Sequence, residues 1–449
     1  MQIAHSQIII GTFSRSTWRG RILLLSAMFC LLGVVRVNAQ SNPDGSLYSR
    51  FGIGELQSFS SSQIEAMGGI APSMHSLNYL NISNPGTWSD LVLTRAAAGF
   101  TYQNITISDA AENQSRLASG FLNAVHFSFP IFERKLGAAI GFVPYSRVSY
   151  RVEQPGTLLT TGAGPDTVDY SVNFEGSGGL QQIVGGLGYR INSNLSVGAS
   201  IQGFFGIIEN GRRTSFLEAG FQQTEVSIET RLTGVSATIG SIYSARQLLN
   251  DEDFITVGAA FTLPTTLSGE RVRTLGEGLD RDTLGTADEG SIRLPLAFEG
   301  GVSYYPGPRW IVTAGGKYEP WSRFESDFLF PGLEVAGEPL SDRIRGGAGV
   351  EFLPAGSDLL APFLARVAYR FGFYYDQSYI SPNPAVRINT MALTGGLSIP
   401  TMMSGTRIDI NLEVGQRGST DEDLVKDIFY RLSANVNIGE RWFQKTKLR

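Results

Sequence analysis

The sequence is poor in the residues that most disulfides, metal sites and catalytic centres use. It has one cysteine, Cys30, and three histidines among 449 residues. It also has no Gly-x-Ser-x-Gly elbow, no His-Glu-x-x-His zinc motif and no phosphate-binding loop. We therefore expect a chain without cofactors or metals that is not an enzyme.

Long apolar runs and excess positive charge are also missing. After residue 39 no stretch has the roughly 18 continuous apolar residues that a spanning helix needs, which excludes a helical membrane protein. Lysine and arginine number 36 against 41 acidic residues, giving a formal net charge of −5. This acidic balance argues against nucleic acid as a partner.

The N-terminus has the pattern of a secretory signal peptide. Arginines at positions 15, 19 and 21 precede an apolar run over 22–35, and Val37-Asn38-Ala39 provides a cleavage site. We predict a signal peptide over residues 1–39, cleaved before Gln40. Cys30 lies inside it, so the exported chain is expected to have no thiol, disulfide or lipid anchor.

Much of the remaining sequence alternates apolar and polar side chains. In residues 428–439 the apolar positions run from Ile428 to Ile438, and polar residues lie between them: Arg431, Ser433, Asn435 and Asn437. Residues 194–208 and 406–416 repeat the pattern. A period of two is typical of β-strands, and charge along the polar face favours a barrel that is apolar outside and polar within over a soluble β-protein.

About fourteen such segments follow residue 90, among them 91–103, 117–129, 134–152 as the third, and 361–376. Short connections alternate with long ones, as periplasmic turns and outer loops do in bacterial barrels. We predict an all-β, 14-stranded antiparallel transmembrane β-barrel over residues 90–443, in the bacterial outer membrane, provided that 166–191 forms one strand. Many of the 53 glycines are expected on the lumen side or at bends of its wall. Residues 444–449 are predicted to be a basic periplasmic tail.

Three short segments precede the first predicted strand, and their order along the chain is informative: Tyr48–Gly54, the Met67-Gly68-Gly69 turn and Asn78–Pro85. With the fourteen strands, they resemble the FadL and TodX type of outer-membrane transporters for long-chain fatty acids and other hydrophobic compounds, in the branch common in Bacteroidetes. The family's Asn-Pro-Ala motif matches at Asn84 and Pro85, with Gly86 in place of alanine.

The resemblance implies that residues 40–89 form an N-terminal plug, or hatch, inside the lumen. It also implies a kinked third strand that opens a lateral window toward the bilayer. Pro144 lies in the middle of the predicted third strand, where a proline cannot donate a ladder hydrogen bond. The predicted gate comprises Asn84, Pro85, Pro144, Gly176, Gly178 and Gly179. A bulge that only shapes the barrel is the alternative.

The function that the resemblance implies is passive transport of a hydrophobic small molecule, a long-chain fatty acid being expected. A carboxylate head group needs a cation, and Arg366 and Arg370 are polar-face cations four residues apart. The candidate apolar contacts for the tail are Phe51, Ile53, Leu56, Phe59, Met67 and Leu77. Structural ion pairs and plain packing are the respective alternatives for these residues.

A second hypothesis is a structural or type IX secretion-associated barrel that binds partner proteins. Outer-membrane lipid and lipopolysaccharide would surround the barrel in either case. A continuous apolar tunnel from the outer face to Pro144 would favour transport. A charged, closed lumen with a large apolar outer-loop surface would favour a partner protein.

Overall fold

The computed structural model describes residues 45–159, 167–216, 223–248, 250–276, 281–331, 340–382, 387–403 and 405–441. The predicted signal peptide and the basic tail lie outside these residues. Within the described ranges, no helix combines the length and the apolar character needed to cross a membrane.

Fourteen antiparallel strands close into a barrel. They are β1 (Thr94–Ser108), β2 (Gln114–Phe132), β3 (Leu136–Pro144 and Tyr150–Leu159), β4 (Thr167–Arg190), β5 (Leu195–Phe216), β6 (Thr224–Arg246), β7 (Phe254–Thr262 and Thr265–Leu275), β8 (Asp288–Leu294 and Ala297–Gly307), β9 (Trp310–Glu319), β10 (Arg343–Phe352), β11 (Ala368–Gln377), β12 (Asn389–Pro400), β13 (Arg407–Arg417) and β14 (Lys426–Glu440). Pairing of β14 with β1 closes the ring. The predicted barrel is confirmed, and 166–191 does contain one strand.

The remaining elements are short. An α-helix, α1, spans Ser62–Glu65, and 3-10 helices span Leu47–Arg50, Pro85–Asp90, Trp321–Arg323, Phe363–Arg366 and Asp421–Asp423. Two-residue strands lie at Glu55–Leu56, Ser146–Arg147, Asp282–Thr283 and Glu325–Ser326. All helices of the described residues are thus two turns long or shorter.

The barrel is apolar outside and polar within, as the alternation predicts. On β14, Ile428, Tyr430 and Leu432 are exposed, whereas Asn435 and Asn437 are buried. The same holds for Ile408, Ile410, Leu412 and Val414 on β13. An apolar exterior band of this kind is what a lipid bilayer solvates.

Some strand ends differ from the predicted ones. β1 continues to Ser108, beyond its predicted end at 103, and β2 begins at Gln114, before its predicted start at 117. The two strands keep pairing there, although the alternation of apolar and polar residues fades. In contrast, the strand predicted over 361–376 begins only at Ala368. Residues 353–367 form a turn that contains the Phe363–Arg366 helix.

Residues 45–93, called here the N-terminal segment, lie against the inward face of the wall. Ten glycines from nine strands face this segment, and a Cβ atom added to any of them would lie 2.0 to 2.9 Å from it. These glycines are Gly137, Gly188, Gly198, Gly240, Gly258, Gly315, Gly347, Gly349, Gly372 and Gly396. The segment therefore contacts glycines of strands all around the ring. The prediction of lumen-side glycines is confirmed at these positions.

Above the N-terminal segment, at the long-loop end, an apolar cluster fills the lumen. Aromatic residues of the 320–331 connection fold inward and are buried: Trp321, Phe324, Phe328 and Phe330. They pack with Ile53 and with Leu232, Leu267 and Ile292 of the wall. Arg271 is buried beside them, lies over the Phe328 ring at 4.8 Å and donates to the Leu329 carbonyl at 2.8 Å.

Candidate functional site

The third strand leaves the wall immediately after Pro144. Its ladder with β4 runs from Leu136 to Pro144 and resumes at Tyr150. Between these points Ser146–Arg147 turns inward and pairs with Glu55–Leu56 of the N-terminal segment. The predicted kink is therefore present, and its inner partner is the N-terminal segment.

Two glycines of β4 make room for this kink. Gly178 and Gly179 have φ of +93° and +129°, a conformation that side chains rarely adopt. A Cβ on Gly179 would lie 2.3 Å from the Ser146 carbonyl oxygen. The Val148 amide donates to the Gly178 carbonyl at 2.9 Å, which ties the displaced segment to β4.

The kink leaves a gap in the wall between β2 and β3. Among the described residues, β2 pairs with β3 only over Val125–Phe132, so Gln114–Ala124 pairs with β1 alone. On the other side, Tyr150–Leu159 pairs with β4 alone. Pro144, which cannot donate a hydrogen bond, lies where the pairing ends. Arg147 spans the gap, with its guanidinium 4.0 Å from the centre of the Phe121 ring.

A cavity of about 110 Å³ lies behind the gap. Its lining is mixed: the apolar side chains include Leu56, Phe59, Phe121, Leu122, Pro144 and Ile380, and the polar ones include Glu55, Arg343, Arg345, Glu413, Arg417 and Arg431. Apolar residues lie toward the gap on β2, and charged residues come mainly from β10, β13 and β14. The cavity can thus contact both an apolar chain and a charged group.

Glu55 lies at the centre of the charged side of this cavity. It accepts hydrogen bonds from Arg417 at 2.5 Å and Arg431 at 2.8 Å, and Arg147 lies 3.8 Å away. Burial opposes ionisation of Glu55, but these three guanidiniums outweigh it and hold the pKa of Glu55 well below its usual range. The carboxylate is therefore charged and fixes Arg147 beside the gap.

The predicted gate residues fall into two groups. Pro144, Gly176, Gly178 and Gly179 meet at the kink, where Gly176 pairs with Tyr150. Asn84 and Pro85 lie elsewhere: the Asn84 side chain donates to the Ser241 carbonyl of β6 at 3.0 Å and caps the Pro85–Asp90 helix. They hold the N-terminal segment to the wall and do not line the gap.

The predicted apolar contacts are likewise dispersed. Leu56 and Phe59 line the cavity behind the gap, whereas Phe51 and Ile53 belong to the apolar cluster at the long-loop end. Met67 is fully buried against glycines of β10 and β11, and Leu77 is exposed at the short-turn end. The structure brings only two of these six side chains to the cavity. Glu55, Phe121 and Arg147 were not predicted from the sequence.

Arg366 and Arg370 do not face a common space. Arg366 lies in the turn before β11, in the 3-10 helix, because the strand begins later than predicted. Arg370 is buried on β11, 2.6 Å from Glu351 and 2.9 Å from Asp409, and donates to the Tyr79 hydroxyl at 2.8 Å. Its hydrogen-bonding nitrogens are all engaged by protein groups.

Replacing Arg370 by methionine is expected to lower the free energy of unfolding by about 3–5 kcal/mol, because two buried carboxylates lose their cation. Arg366→Met, the matched control in the neighbouring turn, should change it by less than about 1 kcal/mol. Urea titration of the refolded barrel in detergent micelles measures both. Equal effects of the two substitutions would contradict this assignment.

Glu65 of α1 provides a pH-dependent contact between the N-terminal segment and the wall. It accepts hydrogen bonds from Asn411 and Ser433, both at 2.9 Å. Burial raises the pKa of Glu65 from 4.5 to about 7. The folded protein therefore keeps a proton on Glu65 in a pH range where the unfolded chain has released it.

The stability contributed by protonated Glu65 is present below pH 4.5 and is lost as the pH rises toward about 7. Relative to Glu65→Gln, which cannot ionise, wild type should lose up to about 3 kcal/mol of unfolding free energy over this range. Parallel urea titrations of both proteins at several pH values measure the difference. A difference that does not change with pH would show that folding does not raise the pKa of Glu65.

The fold and the gap define a class: the chain is a multi-pass β-barrel of the outer-membrane type with a kinked third strand. Within the described residues, no group of three or more histidine, cysteine or acidic side chains could hold a metal ion.

A family model described as BamG matches residues 21–449. The chain therefore belongs to the BamG family. No curated protein matches the sequence.

Solved structures share the fold at low sequence identity. A FadL homologue of Pseudomonas aeruginosa has a TM-score of 0.55 and 13% identity, covering 86% of this chain and 99% of that one. The toluene transporter TbuX of Ralstonia pickettii has a TM-score of 0.52 and 15% identity, covering 85% and 98%. The toluene transporter TodX of Pseudomonas putida has a TM-score of 0.51 and 15% identity, covering 87% and 100%. These likenesses concern the architecture.

Proposed function

We propose that this protein carries a hydrophobic or amphipathic molecule across the outer membrane by passive diffusion and releases it sideways through the gap between β2 and β3. The observation that carries the proposal is the interrupted β2–β3 ladder with a cavity directly behind it. The shared architecture with proteins described as toluene transporters and as a FadL homologue adds support.

The mixed lining of the cavity favours an amphiphile, such as a long-chain fatty acid, over a plain hydrocarbon. Its carboxylate would compete with Glu55 or Glu413 for the forks of Arg417 and Arg431, and its tail would lie on Phe121 and Leu122 toward the bilayer. This places the candidate head-group cations on β13 and β14.

The structure corresponds to a closed state in this proposal. A cavity of about 110 Å³ is smaller than the roughly 300–1,000 Å³ of typical small-molecule sites. The N-terminal segment, acting as a plug, and the inward turn at Ser146–Arg147 must therefore shift to admit a ligand. Their short shared ladder, Glu55–Leu56 with Ser146–Arg147, is the contact that has to open.

Uptake of labelled oleate and labelled toluene into proteoliposomes tests the proposal. Faster uptake of oleate than by protein-free vesicles supports transport of an amphiphile, and faster uptake of toluene alone supports an apolar cargo. If the purified, folded barrel accelerates neither compound, the transport proposal is wrong.

A barrel that binds a partner protein is the second candidate. One observation favours it: Leu359 and Leu360, in the turn between β10 and β11, are 84% and 95% exposed beyond the strand ends. This apolar surface lies at the short-turn end and not on the outer loops, where the sequence-based criterion would have placed it. The lumen is neither a continuous apolar tunnel, which would favour transport, nor charged throughout, which would favour a partner protein. Its long-loop half is apolar and its middle is charged.

A further inference from the structure

The turn between β10 and β11 presents a cluster of exposed apolar side chains at the short-turn end of the barrel. It covers residues 353–367 and is longer than the connections 191–194 and 308–309 at the same end. Its large exposed side chains, called here the apolar turn, are Leu359, Leu360, Phe363 and Leu364, at 84%, 95%, 52% and 69% exposure. Clustered apolar side chains of this kind mark an interaction surface.

Hydrogen bonds within residues 353–367 give the turn a defined shape. The Ala355 amide donates to the Ala365 carbonyl at 2.8 Å, which joins the two sides of the turn. The Leu360 amide donates to the Asp358 carboxylate, also at 2.8 Å. The apolar side chains are therefore presented by a backbone that is already ordered, without a partner to fold against.

A hydrogen bond to β11 shows which way the turn faces. Tyr369 is 38% exposed, whereas its neighbours Ala368 and Arg370 are buried on the inward side of the wall. The Tyr369 hydroxyl donates to the Leu364 carbonyl at 3.2 Å. Because the Tyr369 side chain points away from the lumen, Leu364 lies on the bilayer side of the strand end.

A row of aromatic residues marks the edge of the bilayer at this point of the wall. Trp310 pairs with Phe352, and Phe352 pairs with Tyr369, across three neighbouring strands. The Trp310 and Phe352 rings are stacked at 4.3 Å between their centres. Such rows lie at the membrane–water interface of barrels. The apolar turn thus continues the lipid-facing surface of β11, where Phe371 and Phe373 are exposed, past this row.

We propose that the apolar turn inserts into the inner leaflet of the outer membrane, where lipid covers its four side chains. Short turns face the periplasm in barrels of this class, so the inner leaflet is the one within reach. Residues 353–367 contain one acidic and one basic side chain, Asp358 and Arg366, so insertion brings no net charge to the interface. The proposal does not depend on the transport proposal.

A lipid occupant is favoured over a partner protein because the turn is fastened to the bilayer side of the wall. Leu359 and Leu360 are the observation that favours a partner-binding barrel as the second candidate function. Coverage by lipid accounts for the exposure of both leucines without a partner. The experiment therefore has to distinguish lipid, a second copy of the chain and a different protein.

Fluorescence quenching by brominated lipids makes this distinction. Leu360→Cys and Phe363→Cys, each combined with Cys30→Ser, are labelled with bimane and reconstituted into phosphatidylcholine vesicles with bromine on the acyl chains. Each label should lose at least about half of its fluorescence relative to vesicles without bromine, since interfacial apolar groups reach the acyl boundary. Phe371→Cys on the lipid-facing band is the reference for full quenching.

Ser193→Cys is the matched control, because Ser193 is exposed in the β4–β5 turn at the same end of the barrel. Its label should lose little fluorescence. Heat-modifiable migration on gels shows that each labelled variant is folded. No partner protein is present in these vesicles, so quenching of the Leu360→Cys label can come only from lipid.

Two results would overturn the proposal. Labels at 360 and 363 that are quenched no more than the label at 193 would show that lipid does not cover the turn, and would leave the surface to a different protein. Quenching that is absent at high protein density and appears only on dilution with lipid would assign the surface to a second copy of the chain. Quenching that stays the same over a tenfold dilution is the expected result.

Discussion

Uptake stops when the gap between β2 and the kinked segment is bridged, and it returns when the bridge is cleaved. This is the expected behaviour of the variant Phe121→Cys, Arg147→Cys treated with a cleavable bifunctional thiol reagent. The two native side chains are in contact across the gap, with 4.0 Å between guanidinium and ring centre. Cys30 is the one native cysteine of the sequence, so its replacement by serine in every variant leaves only the introduced pair for the reagent.

The bridged protein should take up labelled oleate no faster than protein-free vesicles. Each single-cysteine variant, treated with the same reagent, controls for loss of the Phe121 ring or of the Arg147 charge. Uptake measured after the linker is cleaved by reduction is the reference for the bridged protein, because the cleaved protein retains both substitutions. Full uptake by the bridged form would show that the molecule leaves by another route.

The second large effect is expected at Gly179. An alanine there must adopt φ of +129° with its Cβ 2.3 Å from the Ser146 carbonyl oxygen. The added Cβ takes the room beside β4 that the kink at Ser146–Arg147 needs, so the kinked path that leaves the gap open cannot form. The strained backbone conformation costs about 1–3 kcal/mol. We expect Gly179→Ala to lose most of its uptake while the barrel stays folded.

Gly203→Ala is the matched control for this substitution. Gly203 lies on β5, and a Cβ there has no atom within 4 Å. Uptake and unfolding midpoints of both variants, measured side by side, separate closure of the gap from general destabilisation. Uptake at the wild-type rate by folded Gly179→Ala would mean that the kink only shapes the barrel.

The sequence predicts the barrel well because each strand carries its own signal. Alternation along β14, from Ile428 to Ile438, reports directly which face meets lipid. The kink has a local signal too, since proline at 144 and glycines at 178 and 179 are unusual in neighbouring strands. Such features depend only on the chemistry of adjacent residues.

The contents of the lumen have no comparable signal. Glu55 meets Arg147, Arg417 and Arg431, which come from three different strands, and no local spacing encodes those encounters. The pairing of Glu55–Leu56 with the kink is invisible for the same reason.

The predicted pairing of Arg366 with Arg370 shows how a local rule fails. It assumed one continuous strand through 361–376, and the turn before Ala368 breaks the alternation on which it rested. Which side chains share a face of a strand can be predicted only when the start of the strand is predicted correctly.

Photolabelling tests most directly whether a hydrophobic molecule uses the gap. A fatty acid with a diazirine at the end of its chain is bound to the reconstituted barrel, irradiated, and its adducts are mapped by mass spectrometry with and without excess unlabelled fatty acid. If the molecule leaves through the gap, adducts form at Phe121, Leu122 and Pro144, and the competitor removes them. Adducts confined to the lipid-facing exterior, unchanged by the competitor, would contradict passage through the gap.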